Sequence, residues 1–416
     1  MTTHKIIIAD SRSMKEIDKE AVDLIITSPP YWQLKNYDVP NQIGYGQTIH
    51  EYLKDLYRVW KECFRVLKPG TRLCINIGDQ FMRSIVYGRY KIAPLHAEII
   101  AQCERIGFDY MGSIIWQKKT TMNTTGGANV MGSYPYPPNG LIEIDYEFIL
   151  IFKKPGTRKD ITQDKKGLSK LTKEEWKEFF SGHWAFGGEH QVEHQAMFPE
   201  ELPKRLIKMF SFLDDWVLDP FLGSGTTMKV ANELKRNSIG YEVNPAFLEV
   251  IKKKVGYYNK TLFDSTTFEI YERKDEIITD TETYTPSIKD AQPIIDPNKF
   301  KFNGDKIYKV IEIIGPDTIK LDTGLVVTLQ GITLKDSKRE IAFEYLTKYV
   351  NGKGVTIKFD SVPSTSKDNL KGYIYLKNKI FINKELIKMG LADVSDNYFS
   401  KKEYFLKSQM ESAKNA

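Results

Sequence analysis

Two consecutive prolines, Pro29 and Pro30, follow the apolar run Val22-Asp23-Leu24-Ile25-Ile26. A short apolar run bounded by turn residues reads as a buried strand. Proline lacks the N–H that a strand ladder needs, so this strand must stop near Thr27 and Ser28. The turn that follows is stiff, and no neighbouring strand can claim its two proline carbonyls. Ser28 sets a hydroxyl before the turn, and Tyr31 sets a ring after it, beside Trp32. Rigid acceptors next to a stacking surface suit a planar group carrying an NH2, such as a nucleobase. By itself, a proline turn after a strand is more often only a turn.

A second stretch narrows the choice. Trp216-Val217-Leu218-Asp219 reads as another strand, running through Pro220, Phe221 and Leu222 into Gly223-Ser224-Gly225-Thr226-Thr227. The glycines let the backbone approach a ligand closely, and the helix expected from about Thr227 to Leu234 favours an anion at its start. The next strand, Ser238 to Glu242, ends in an acid, where a Rossmann-like nucleotide site carries its ribose-hydroxyl acceptor. Strand, Gly-x-Gly, helix, strand and acid together are far more specific than Gly-x-Gly alone.

Thr27-Ser28-Pro29-Pro30-Tyr31-Trp32 followed by Asp219-Pro220-Phe221-Leu222-Gly223-Ser224-Gly225-Thr226-Thr227 resembles the exocyclic-amino DNA methyltransferases of the beta arrangement. In that family the catalytic SPPY or DPPY motif precedes the cofactor motif FxGxG. The likeness runs from Lys5 to Lys254. Ser28 is similar to the cytosine-N4 branch; an aspartate there would resemble the adenine-N6 branch. The resemblance implies an α/β Rossmann-like sheet, circularly permuted so that the cofactor half comes last. It implies S-adenosyl-L-methionine as methyl donor and double-stranded DNA as substrate, with a cognate restriction endonuclease encoded separately as a further partner. Ser28 and the Pro29 carbonyl would accept from the base's NH2, within the stiff turn that Pro30 completes, and Tyr31 would stack on the flipped base. Gly223, Ser224, Gly225 and Thr226 would form the close-approach turn for the donor, and Glu242 would bind its ribose. Asp219, Pro220 and Phe221 would shape the pocket, Asp10 would lie near the adenosine end, and Phe198-Pro199 would help hold the donor. Adenine-N6 transfer and a bifunctional methyltransferase-nuclease are the rival readings.

Composition excludes several other classes. No run approaches the roughly 18 apolar residues of a membrane span, and no secretory signal is visible. Cys63, Cys74 and Cys103 are odd in number and widely spaced, as in a reducing cytoplasm, and none follows proline. The Pro-Cys nucleophile of cytosine-C5 methyltransferases is therefore absent. Charge is unevenly placed. Residues 297–416 carry 21 Lys and Arg against 14 Asp and Glu, while the rest has 39 against 40. A basic tail on a neutral body suits either a polyanion or a solvated lysine-rich surface.

Along the chain, Lys5 to Ala9 reads as a strand, Ser13 to Ala21 as a helix, and Gln33 to Gln47 as a polar loop able to close over a base. His50 to Leu67 has helical periodicity ended by Lys68-Pro69-Gly70. Strands over 72–77, 111–118 and 145–153 and helices over 93–106 and 204–212 fill an alternating α/β pattern. Thr120 to Gly140, with Asn123, Asn129 and Asn139, is a long aperiodic loop suited to DNA contact. His190 and His194 have metal-ligand spacing but no third ligand pattern, and no metal is expected.

The divisions expected are 1–258 for the catalytic domain, 259–297 for an acidic, Thr-rich linker or strap, and 298–416 for a small barrel. Val327 to Ile332, Gly372 to Tyr375 and Ile382 to Ala392 resemble a staphylococcal-nuclease-like OB-fold. The nuclease's arginine and metal-holding aspartate fall on Thr328 and Thr333, and its second arginine falls near Asn369. Cleavage needs charge stabilisation on the phosphate, so the resemblance implies a binding module without nuclease activity.

Overall fold

The computed structural model describes residues 2–33, 39, 42–82, 84–88, 90–118, 138, 142, 144–187, 199–258, 266–273, 283–294, 307–359, 369–377, 380–397, 399 and 401–414. The chain divides into two compact units. Met1–Gln80, Ala93–Thr124 and Ile142–Ala291 form the first; Phe81–Ile92, Thr125–Leu141 and Gln292–Ala416 form the second.

Among the described residues the first unit holds nine strands in one sheet. These are β1 (Thr3–Ile8), β2 (Val22–Thr27), β3 (Leu67–Ile77), β6 (Asp109–Lys118), β7 (Tyr146–Lys153), β8 (His183–Phe186), β9 (Trp216–Asp219), β10 (Asn237–Glu242) and β11 (Thr267–Glu272). A short ribbon, β4 (Gln80–Met82) and β5 (Lys91–Ala93), encloses the helical turn α2 (Ser84–Tyr87), and all of it but Gln80 and Ala93 is assigned to the second unit. The sheet order is β11-β1-β10-β9-β2-β3-β7-β6-β8, and β7 alone runs antiparallel to its neighbours. Strand order reverses between β9 and β2, so the two motif strands are neighbours although the cofactor half comes last in sequence. In an open α/β sheet that reversal is where a ligand crevice forms, at the carboxyl ends of the strands.

Helices cover the sheet. Helix α1 (Ile49–Val66) starts in a capping box between Thr48 and Glu51, and buries Tyr52, Leu53, Leu56, Val59, Trp60 and Cys63 at helical spacing. Helix α3 (Leu95–Ile106) ends on Gly107, whose φ of 117° is left-handed. The insertion after β7 carries two short helices, α4 (Gln163–Leu168) and α5 (Lys173–Phe179). Helices α6 (Glu201–Phe210) and α7 (Thr226–Glu233) pack Leu202, Leu206, Ile207, Val230 and Ala231 against Leu24, Ile26, Cys74 and Val217 of the sheet. Each such buried aliphatic side chain contributes roughly 1.5–3 kcal/mol. Helix α8 (Leu248–Lys254) follows β10.

Two elements differ from the sequence reading. Ser13 to Ala21 forms turns rather than a helix. Its backbone is satisfied from outside, because Arg65 of α1 donates to the Met14 and Ile17 carbonyls and Glu62 accepts from the Met14 amide. Within the stretch read as a linker or strap, the described residues up to Ala291 belong to the first unit. Thr267–Glu272 becomes β11 beside β1, and residues 284–291 are fastened to α1 and α3. Glu98, buried on α3, accepts from the Tyr284 hydroxyl and from the Ser287 and Ile288 amides, while Tyr284 stacks on Tyr57 at 4.3 Å. These partners lie on other elements, so no local period announces them.

In the second unit β12 (Tyr308–Gly315), β13 (Thr318–Leu321), β14 (Val326–Leu329), β16 (Gly354–Lys358) and β17 (Asn369–Leu376) close a barrel in the order β12-β13-β14-β17-β16. Strand β15 (Ile332–Leu334) pairs with β18 (Ala392–Val394), an element the sequence reading lacked. Helices α9 (Arg339–Tyr349), α10 (Ile382–Lys388) and α11 (Lys402–Lys414) complete the unit. Buried Asn383 accepts from the Ile374 amide and donates to the Gln330 and Gly372 carbonyls, which staples α10 to the barrel.

Replacing Glu98 with alanine leaves a buried hydroxyl and two amides unpaired, at about 1–3 kcal/mol each. Amide hydrogen exchange of residues 284–291 is expected to rise at least about tenfold while the sheet amides stay protected. Unchanged protection of that segment would show that Glu98 does not fasten it.

Candidate active site

The stop imposed by Pro29 and Pro30 leaves Ser28 at the end of β2, and the Gly-containing turn leaves Asp219 at the end of β9. Asp219 is 2% exposed. Its carboxylate accepts from the Thr27 hydroxyl at 2.8 Å, the Thr227 hydroxyl at 2.6 Å and the Phe221 amide at 3.0 Å. One buried group therefore ties the proline turn, the glycine turn and the first turn of α7 together. Burial raises its pKa to about 6, against the lowering effect of the three hydrogen bonds.

The glycine turn has a left-handed backbone, with φ of 54° at Gly223 and 92° at Gly225. A Cβ on Gly225 would meet Ile251 and Val255 at 3.3 Å, so this glycine lets α8 pack close. At Gly223 a Cβ would meet nothing nearer than the Phe221 carbonyl at 3.9 Å, which leaves space for a ligand. Lys254 donates to the Ser224 and Thr226 hydroxyls, placing a cation beside the turn. Phe221 packs edge-on to Trp60, and Pro220 is buried.

Glu242 ends β10 and accepts from the Gly223 amide at 3.0 Å and the Asn244 amide at 2.8 Å. Each carboxylate oxygen keeps a lone pair beyond these, as a ribose-hydroxyl acceptor requires. Burial pushes its pKa up to about 7, helped by the charge of Asp219 and opposed by hydrogen bonds from the Asn244, Gly223 and Val243 amides. The β1–β10 register sets Ile8 opposite Glu242, so Asp10 lies on the same edge. Arg12 grips Asp10 through its backbone amide and guanidinium and reaches on to Asp55 at 2.7 Å. Burial opposes the Arg12 charge, but hydrogen bonds and charge from Asp10 and Asp55 outweigh it and raise the pKa. Pro199 accepts from the Leu202 amide just before α6, and the Glu200–Lys229 pair holds that segment beside α7. Phe198, His190, His194 and most of 120–140 lie outside the described residues.

The proline turn is organised from both sides. The Pro30 carbonyl accepts from the Tyr52 hydroxyl of α1 at 3.0 Å, a side-chain partner on a helix rather than a strand. Among the described residues the Ser28 hydroxyl and the Pro29 carbonyl are not taken by a protein hydrogen bond. Residues 42–47 return against the turn, with Gln33 accepting the Gly46 amide and Gln47 accepting the Gly44 amide. The Gln80 amide donates to the Trp32 carbonyl. Tyr31 donates to Glu147, and burial, then the Glu147 charge, raise its pKa well above the usual phenol value. Glu147, Asn76, Lys118, Arg12 and Asp55 carry no motif, and the sequence reading passed over them.

The DNA methylase family that spans N6 and N4 transfer matches residues 22–253, and the chain belongs to that family. A model of staphylococcal nuclease homologues matches residues 339–416. The type II methyltransferase M.MjaI of Methanocaldococcus jannaschii is 39% identical over 290 residues, 63% of this chain and 94% of its own. M.MthZI of Methanothermobacter thermautotrophicus is 34% identical over 288 residues, 63% of this chain and 78% of its own. A putative DNA modification methylase of Thermus thermophilus, solved with S-adenosyl-L-methionine, is 33% identical and has a TM-score of 0.53 over 66% of this chain and all of its own.

Asp219 and Glu242 hold protons more tightly folded than unfolded, from ordinary values of 3.8 and 4.5 up to about 6 and about 7. Folding therefore takes up protons in this window, and stability falls as pH rises from about 4 to about 7. In Glu242→Gln the decline in Tm between about pH 4.5 and 7 is expected to be shallower. An identical decline would show that Glu242 does not titrate there.

Proposed function

We propose that this chain is a site-specific cytosine-N4 DNA methyltransferase acting on duplex DNA as the modification half of a restriction-modification system. The methyl donor is S-adenosyl-L-methionine, whose sulfonium supplies an electrophilic methyl carbon. The reading rests on the Thr27–Asp219 hydrogen bond, which fixes the proline turn beside the glycine turn on adjacent strands. Glu242 would hold the donor's ribose hydroxyls, and the open backbone at Gly223 would let the donor approach.

A ring amine is a weak nucleophile because its lone pair is delocalised. The Ser28 hydroxyl and Pro29 carbonyl would accept hydrogen bonds from the NH2 and direct that lone pair toward the methyl carbon. Tyr31, fixed through its hydroxyl, would stack on the extruded base. In-line positioning then supplies much of the acceleration, without a covalent enzyme intermediate. The hydroxyl at position 28 supports cytosine over adenine.

For the barrel we propose DNA binding without cleavage. Thr328 and Thr333 lie on β14 and β15 and Asn369 opens β17, and none supplies the charge a phosphodiester transition state needs.

Ser28→Ala and Tyr31→Ala are each expected to lower methyl transfer roughly 100-fold or more while donor binding stays measurable. Normal transfer by either variant would remove the turn from the mechanism. Single-molecule sequencing of DNA from a host expressing the chain should show N4-methylcytosine at one motif; N6-methyladenine would replace the cytosine reading. Because an ionised Glu242 accepts better, S-adenosyl-L-methionine should bind several-fold more tightly at pH 8 than at pH 6. Glu242→Gln should erase that difference.

A further inference from the structure

We propose that Glu147 is a positioning residue for methyl transfer, setting the Tyr31 ring through a buried carboxylate fixed by Lys118 and Asn76; this rests on the methyltransferase reading above. Strand β7 runs against its neighbours, so its second residue, Glu147, comes to the edge where β2 and β3 end. There Glu147 is 7% exposed. Its Oε1 accepts from the Tyr31 hydroxyl at 2.5 Å and from the Lys118 ammonium, and its Oε2 accepts from the Asn76 amide at 2.7 Å.

The backbone has made room for this cluster. A Cβ on Gly78 would stand 3.1 Å from Glu147 Cγ, so the Glu147 side chain would have to shift by a few tenths of an ångström, and it would reach ordinary contact with the Tyr31 hydroxyl at 3.6 Å. A buried carboxylate without a catalytic target is costly unless it is paired, and Lys118 with the Asn76 amide supplies that pairing. The result is a fixed acceptor aimed at one phenol. The Tyr52 hydroxyl holds the Pro30 carbonyl from the other side. The turn between Pro30 and Tyr31 is thus clamped at two consecutive residues. Glu147 acts through Tyr31, whose hydroxyl it holds.

The test uses the full chain and a duplex containing the motif found by sequencing, with kcat, KM for DNA, Tm and the Kd of S-adenosyl-L-methionine measured together. Glu147→Gln and Tyr31→Phe are each expected to lower kcat about 10- to 100-fold, the scale of a misplacement near 1 Å, with donor Kd within about twofold of wild type. The double variant should be no slower than the slower single one, because both changes break one contact. Full kcat in Glu147→Gln, or losses that multiply in the double variant, would overturn the proposal. If Glu147→Gln fails to bind the donor, Tyr31→Phe decides: it removes one hydroxyl, and unchanged kcat there also overturns it. A wild-type chain that transfers no methyl group would instead sink the parent reading.

Discussion

The buried carboxylate of Asp219 is the contact that ties the proline turn to the glycine turn. Isolating a charge there costs far more than leaving it in water, and the carboxylate persists because a hydroxyl from β2, a hydroxyl from α7 and an amide from its own turn surround it. Hydrogen bonds to a charged group contribute roughly 1.5–3 kcal/mol each. They also join two motifs that lie 192 residues apart in the chain. The pairing of β2 with β9 sets the two turns side by side, and this link then ties their side chains to each other.

Other buried polar groups extend the frame outward. Arg12 joins Asp10 to Asp55, and Gln47 donates to Asp55 while closing on the loop behind the proline turn. The end of β1 and the proline turn after β2 are thereby connected through α1. Arg273, directly after β11, donates to the Asp10 and Ser13 carbonyls and pairs with Glu16. The added strand thus steadies the edge that carries Asp10. Such networks specify one geometry because each unmade bond would leave a buried group unsatisfied.

Much of this was legible in local chemistry. Proline pairs stop strands, so β2 was bound to end at Thr27, and the apolar face of α1 follows its helical period. The α/β class, the strand pair carrying the two motifs and the barrel with its following helices follow from the same signals. Legibility failed where a backbone group finds its partner on a distant element. Ser13 to Ala21 has a helical pattern, yet Arg65 and Glu62 take its hydrogen bonds. Residues 267–272 have little period because β11 is an edge strand with one neighbour, β1.

The sequence by itself determined which residue types stand at the two turns, and hence the chemistry they can support. Tertiary structure decided which of those groups remain available. Pro30 lost its carbonyl to Tyr52, Asp219 became a fastening, and Tyr31 acquired Glu147 from 116 residues away. The physical reason is that strand ends and turns are written by neighbours in the chain. The partners of a buried polar atom are set by sheet order and register, and these emerge only when the whole core packs.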